Sequence, residues 1–178
     1  MEKIGQVLID EPTLKKRISE LGAQITEDYR DKDLIVVGIL KGAVIFLSDL
    51  VKEIDLPLSM DFMAVSSYGL STHSSGVVRI LKDLDQEIEG KDVLIVEDIV
   101  DTGLTLHYLV ENLKSRKPNS LKICCCLDKP SRREVPVNVD YVGFDIPDEF
   151  VVGYGLDYGE KYRNIPHICV LDPAIYKK

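Results

Sequence analysis

Apolar and polar residues alternate along this chain in two rhythms. Between positions 12 and 29, Leu14, Ile18, Leu21 and Ile25 recur at helical spacing behind Glu11, Pro12 and Thr13, which suit a helix start. After Asp33 comes an unbroken apolar run, Leu34 to Leu40, ending at Lys41-Gly42. Such runs are buried on both faces in parallel sheets. Ala43 to Ile54 returns to helical spacing, with Val44, Leu47 and Val51 along one stripe, and Pro57 to Val65 and Val77 to Leu81 predict two strands. Val93 to Val96 predicts another buried strand, and a helix follows over about 103–116 with Leu106, Leu109, Val110 and Leu113 facing inward. Arg116, Lys117 and Pro118 end it, as basic charge and a proline should. Leu121 to Leu127, Tyr141 to Phe144, Phe150 to Tyr154 and Ile168 to Leu171 complete the expected strands.

Strands alternate with helices early and cluster without them late. That order predicts an α/β fold, a mostly parallel central sheet flanked by helices, with a small appended hood or flap. No internal repeat is visible, and 178 residues suit one domain spanning 1–178. Hydrophobic residues at 45% and charged residues at 29% are ordinary for a globular protein. No apolar run approaches the roughly 20 residues that span a bilayer, and Met1 to Gly5 does not read as a signal peptide. We therefore expect a cytoplasmic protein with no membrane partner. With 22 basic against 30 acidic residues the net charge is −8, which disfavours nucleic acid as a partner. Cys124, Cys125 and Cys126 are adjacent on an expected strand and alternate faces, so they cannot converge on one metal. With Cys169 they read as reduced core thiols. His73, His107 and His167 lack a ligand-like spacing.

The chemistry gathers after Val96. Glu97, Asp98 and Asp101 follow the apolar run at once, and Thr102-Gly103-Leu104-Thr105 leads into the helix. Ligands of open α/β sheets bind at the carboxyl ends of strands, where helix N-termini present amides. Acids and phosphate donors therefore meet in one loop, which suits a ligand with hydroxyls, a metal and a phosphate. Read as ordinary residues, the acids are solvated groups after a strand, and Asp101 caps the helix. The loop from Ser66 to Gly76 is hydroxyl-rich and nearly uncharged, the kind of segment that serves as a lid or stays a passive exposed loop.

Val93 to Thr105 resembles the phosphoribosyl-pyrophosphate signature of the type I phosphoribosyltransferases. Gly38-Ile39-Leu40-Lys41-Gly42-Ala43, Ser66-Ser67-Tyr68-Gly69, Leu127-Asp128-Lys129-Pro130, Pro147 to Tyr154 and Leu156-Asp157-Tyr158 narrow the resemblance to the purine branch that uses hypoxanthine and guanine, in its bacterial form. The matches run in order from about residue 4 to 172.

The resemblance implies that fold, with a hood from the N- and C-terminal segments and a flexible loop at about 66–76. It implies Mg²⁺-dependent transfer of a phosphoribosyl group from phosphoribosyl pyrophosphate to N9 of a 6-oxopurine, in a homodimer or homotetramer. Glu97 and Asp98 would grip the ribose hydroxyls directly or through Mg²⁺, with Asp157 a further metal-linked acid; carboxylates suit both tasks. Asp101 would be the general base at purine N7, helped by partial burial that raises its pKa. Ile99 and Val100 belong to the same signature. Thr102, Gly103, Leu104 and Thr105 would cradle the 5′-phosphate, Leu104 standing where mammalian relatives carry lysine. Lys41 and Gly42 would meet pyrophosphate through a peptide that in the family can be cis, and Arg163 would add a second contact. Lys129 would donate to the 6-oxo group, Phe150 would stack on the base, and the Val151 backbone would meet its edge. Ser67 and Tyr68 would lie on the closing loop. Read otherwise, Lys41-Gly42 is a plain strand-to-helix turn, Arg163 a surface ion pair and Phe150 a core aromatic. A preference for xanthine, or a sensor of phosphoribosyl pyrophosphate lacking catalysis, are the alternatives; the retained Asp101 and the acidic charge weigh against the sensor.

Overall fold

The structure, a computed structural model, describes residues 4–67 and 78–177, with Ser67 described through its backbone. Its elements in chain order are β1 (Val7–Ile9), α1 (Glu11–Asp28), β2 (Leu34–Leu40), α2 (Val44–Lys52), β3 (Ser59–Ser67), β4 (Val78–Lys82), β5 (Asp92–Val100), α3 (Leu104–Lys114), β6 (Ser120–Asp128), β7 (Tyr141–Asp145), β8 (Val151–Val152), β9 (Ile168–Val170) and α4 (Pro173–Tyr176). A six-stranded sheet runs β4-β3-β2-β5-β6-β7, parallel except for the β3–β4 pair. A three-stranded antiparallel sheet, β1-β9-β8, joins the two ends of the chain.

The continuous apolar strands are explained by two-sided burial. Val36, Leu94, Val96, Cys124 and Cys126 pack with Leu14, Ile18, Leu21 and Ile25 of α1 and Phe46, Leu47 and Leu50 of α2. The alternate residues Ile35, Val37, Val93, Ile95, Ile123 and Cys125 pack with Leu106, Leu109 and Leu113 of α3. The three adjacent cysteines thus divide between two cores, as a period of two requires. All four cysteines are free and buried, and burial raises their thiols. Helix α1 begins where the sequence expects: the Asp10 carboxylate accepts the Thr13 amide at 2.9 Å, and Pro12 occupies the first turn. No helix among the described residues is long and apolar enough to cross a membrane.

Connectivity places a crevice between β2 and β5. The β2–α2–β3 unit winds one way from that point and β5–α3–β6 the other, so the loops after β2 and β5 open side by side. The strands also differ in reach. Pairing of β2 with β5 stops at Gly38 and Val96, whereas β5 stays paired with β6 to Val100 and Asp128.

Three expectations need correction. Glu97 and Asp98 are not loop residues after the strand; they lie in its second half, because β6 continues to supply backbone partners after β2 has ended. Ser66 and Ser67 likewise belong to β3, opposite Arg79 and Val78, and not to the loop. The strand expected over Phe150 to Tyr154 shrinks to Val151–Val152, since Gly153, Tyr154 and Gly155 all take positive φ (97°, 51° and 99°) and turn the chain. The short elements β1 and α4 carry too few residues to show a period, and no pattern announced them.

Candidate active site

Four segments surround the crevice: the turn after β2, the end of β5 with the start of α3, the end of β6, and the loops on either side of β8. The Leu40–Lys41 peptide is cis, and Gly42 follows it. Gly42 packs directly on the Asp98 carboxylate, so closely that a Cβ would lie 2.7 Å from Asp98 Cγ. Gly155 seats against the Gly42 carbonyl from the other side. The plain-turn reading of Lys41-Gly42 therefore omits its main feature, a backbone clasped between an acid and a second glycine.

Glu97 is buried and Asp98 half-buried, and neither is the solvated acid of the simpler reading. Burial, reinforced by the neighbouring Asp98 charge, pushes Glu97 well above the ordinary carboxylate range. Burial raises Asp98 too, opposed by the Ile99 amide, which donates to Asp98 Oδ1 at 2.7 Å, and by the positive charge of Arg163. Burial and the adjacent charge thus favour the protonated form of Glu97, whereas the pull of a cation acts on Asp98.

Asp101 follows at the mouth of α3. Its side chain is 40% exposed and accepts Arg132 Nε at 3.0 Å, while Arg133 Nη1 donates to its carbonyl at 2.9 Å. The partial burial anticipated for this acid is modest, because the β5 strand ends at Val100 and the chain turns outward. Nor does Asp101 cap the helix. The N-cap of α3 is Gly103 at φ 85°, with no side-chain hydrogen bond. The opening amides of α3 consequently face the crevice, with Leu104 N held only weakly by Thr102 Oγ1 at 3.4 Å. Gly103 is also required by space, since a Cβ would sit 2.9 Å from Val137 Cγ2. Leu104 and Thr105 are half-buried beside these amides. A helix mouth with open amides attracts an anion.

Lys129 ends β6. Its amide donates to Val100 O at 2.9 Å, tying the ends of β5 and β6 together, and its side chain is buried with Nζ 3.8 Å from Asp148 Oδ1. Phe150 is 41% exposed and is no core aromatic. It makes an edge contact with Tyr158 (5.9 Å between centroids) and a tilted one with Tyr176 (5.2 Å). Val151 is buried and pairs with Val170, which fixes the backbone on which Phe150 stands.

Arg163 donates to Gly155 O at 2.8 Å and lies 3.3 Å from Asp157 Oδ1 and 3.1 Å from Glu160 Oε1. Its Nε is buried with no acceptor among the described residues. Lys41 is exposed and bonds Glu160 Oε2 at 2.8 Å. Glu160 is held below the ordinary carboxylate range chiefly by its hydrogen bond to Lys41. Tyr68, expected on the closing loop, lies outside the described residues, and of Ser67 only the backbone position at the end of β3 is described.

Among the described residues no three His, Cys, Asp or Glu side chains converge as a metal cage. Glu97, Asp98 and Asp157 are hard oxygen donors that leave most of a coordination sphere to others, which suits Mg²⁺, an ion that keeps waters and takes phosphate oxygens from its substrate. The structure also adds residues that sequence reading passed over. Arg132, Arg133 and Asp148 hold Asp101 and Lys129, and Glu160, Tyr158 and Tyr176 line the far side. Asp148 and Tyr158 stand inside the matched blocks, and Arg132 and Arg133 form a basic pair just after Pro130, but no spacing announced their contacts.

Comparison with known proteins adds independent findings. A family model described as a phosphoribosyl transferase domain matches residues 7–159. A hypoxanthine-guanine phosphoribosyltransferase of Bacillus subtilis is 57% identical over 174 residues, covering 98% of this chain and 97% of the relative. One from Mycobacterium avium is 55% identical, covering 98% and 89%. A solved hypoxanthine phosphoribosyltransferase from Staphylococcus aureus superposes with a TM-score of 0.97 at 55% identity, covering 99% of this chain and 96% of that one.

Proposed function

Because the chain belongs to the phosphoribosyl transferase family, we propose that it transfers the 5-phosphoribosyl group of phosphoribosyl pyrophosphate to N9 of hypoxanthine or guanine. The products are IMP or GMP and pyrophosphate, and the role is purine salvage. The observation that carries the reading is the grouping of three environments at one end of the sheet. They are an open helix mouth beside two acids, a buried ammonium paired with Asp148 two residues before the exposed Phe150, and a pair of cations joined through Glu160.

Each reacting part has a partner in this arrangement. The 5′-phosphate takes the amides of Leu104 and Thr105 and the hydroxyls of Thr102 and Thr105, neutral donors that compensate for the apolar Leu104 side chain. The ribose hydroxyls go to Asp98 and Glu97. Pyrophosphate takes the Lys41–Gly42 backbone, the Lys41 ammonium and the Arg163 guanidinium. The purine lies against Phe150, with its 6-oxo group on Lys129 and its edge at the Val151 backbone. An ammonium carries donors only, so the exocyclic amine of adenine finds no acceptor there.

Mg²⁺ fits this donor set through Glu97, Asp98 and Asp157, and would supply charge neutralisation on the pyrophosphate and ribose oxygens. As the purine attacks C1′, negative charge develops on the leaving pyrophosphate and a proton must leave the base. Lys41 and Arg163 meet the first demand. Asp101, open to the crevice on the side that Arg132 does not occupy, accepts the proton at N7. The small sheet β1-β9-β8 serves as the hood over the base, and the chain acts as one catalytic unit. It works as a homodimer or homotetramer in the cytoplasm. The exposed apolar residues Met60 and Leu81 would be covered by a partner copy, and four free thiols suit a reducing compartment.

The test is direct. Purified protein with phosphoribosyl pyrophosphate, Mg²⁺ and hypoxanthine should release pyrophosphate and IMP in equal amounts, and chelation of the metal should stop both. Pyrophosphate release that is independent of the purine would mean hydrolysis and would overturn the assignment.

A further inference from the structure

Glu160 uses its two carboxylate oxygens on two cations that come from separate loops. Oε2 accepts from Lys41 Nζ at 2.8 Å, and Oε1 accepts from Arg163 Nη2 at 3.1 Å. These are the same two side chains that the proposed function gives to pyrophosphate. The residue is held for this task. Its amide donates to Asp157 Oδ2 at 2.9 Å, and it occupies a left-handed backbone position, φ 64°, that turns the chain back toward Arg163.

We infer that Glu160 is a built-in surrogate for pyrophosphate: it gathers Lys41 and Arg163 when the leaving-group site is empty and is displaced when pyrophosphate enters. The inference rests on the assignment of Lys41 and Arg163 to pyrophosphate. Three features support the exchange. Both ends of the Lys41–Glu160 pair are well exposed, at 68% and 62%, and ion pairs so exposed are weak, so the contact yields at small cost. One carboxylate has only two oxygens, and each is already committed to one cation. A pyrophosphate carries more oxygens and more charge, so it satisfies Lys41 and Arg163 Nη2 together, and it wins. After transfer Glu160 competes for the same cations and hastens departure of the product.

Binding of inorganic pyrophosphate to the full-length protein with Mg²⁺, measured by titration calorimetry at low salt, tests this. Removing a competitor must tighten binding, whereas removing a merely supporting residue must weaken it. Glu160→Gln should lower the pyrophosphate Kd by about three- to tenfold, the range expected for releasing two exposed ion pairs. Glu20→Gln deletes the same charge from α1, where Glu20 pairs with Arg17, and should stay within about twofold of the wild type. An unchanged or larger Kd in Glu160→Gln, or an equal tightening in Glu20→Gln, overturns the surrogate role. A Lys41→Met arm separates this from the parent reading. If Lys41→Met binds pyrophosphate as tightly as the wild type, the assignment of the pyrophosphate site itself fails, and the surrogate role falls with it.

Discussion

Replacing Gly42 by alanine adds one methyl group at the tightest point of the site. Its Cβ would lie 2.7 Å from Asp98 Cγ and closer still to Oδ2, whereas ordinary contacts begin near 3.4 Å. Neither neighbour can give way freely. Asp98 is half-buried and anchored by the Ile99 amide at 2.7 Å, and the Gly42 carbonyl is backed by Gly155. Ala43, fully buried, bonds Ile39 O through its amide at 3.2 Å and stops the turn from sliding. Something must therefore move by about an ångström, taking either the ribose acid or the pyrophosphate backbone with it. Displacements of that size cost about 10²-fold in rate, and overpacking costs about 1–3 kcal/mol of stability.

Gly90→Ala is the matched control. Gly90 has φ 73° with nothing within 4 Å of its would-be Cβ, and its amide bonds Lys117 O at the opposite end of the sheet. That substitution costs about 1–2 kcal/mol of backbone energy and no geometry at the site. Thermal unfolding and steady-state nucleotide synthesis should then separate the two variants. Both lose several degrees of Tm, and only Gly42→Ala loses about 10²-fold in kcat/KM. If Gly42→Ala keeps kcat/KM within about threefold of wild type, the close clasp between the two loops is not part of the catalytic geometry.

Other expectations follow from single contacts. Asp101→Asn should lower the single-turnover rate by roughly 10²-fold with little change in substrate affinity, and an unchanged rate in rapid quench would remove Asp101 as the base. Lys129→Met should lower kcat/KM for hypoxanthine by about 10²-fold without creating use of adenine; a variant that retains hypoxanthine activity would show that another group reads the 6-oxo position. Burial raises the Glu97 pKa, so engagement of Mg²⁺ should draw it back down and release protons; calorimetry in buffers of different ionisation enthalpy should show that release in the wild type and lose it in Glu97→Gln. The same shift fixes a stability sign. Since the folded pKa lies above the ordinary 4.5, the contribution of Glu97 is complete below that pH and is lost as pH rises through the raised value. Glu97→Gln should accordingly raise Tm more in mildly alkaline than in mildly acidic buffer.

The sequence disclosed the fold where burial imposes a long pattern. Leu34 to Leu40 was readable to the residue because both faces are buried, and α1 because Leu14, Ile18, Leu21 and Ile25 mark one stripe. It failed where tertiary pairing decides. Nothing in Glu97 and Asp98 says that β6 outruns β2 and keeps these acids in a strand. Val7 to Ile9 is a strand only because Ile168 to Val170 arrives beside it. In the candidate site, residues that stand in contiguous motifs were legible, and the structure places Asp101, Lys129 and the Lys41-Gly42 turn at the ends of β5, β6 and β2. Their holders were not legible. Arg132 reaches Asp101 across 31 positions, and Glu160 reaches Lys41 across 119, distances over which no spacing rule operates.

On the proposed reading a buried ammonium and two cation-bearing loops select a 6-oxopurine and phosphoribosyl pyrophosphate as a pair. One competition experiment tests it most directly. Equal concentrations of hypoxanthine, guanine, xanthine and adenine are offered with limiting phosphoribosyl pyrophosphate and Mg²⁺, and the nucleotides formed are quantified by mass spectrometry. IMP and GMP should dominate, with AMP at background. AMP as the main product, or no nucleotide from any base, would contradict the account.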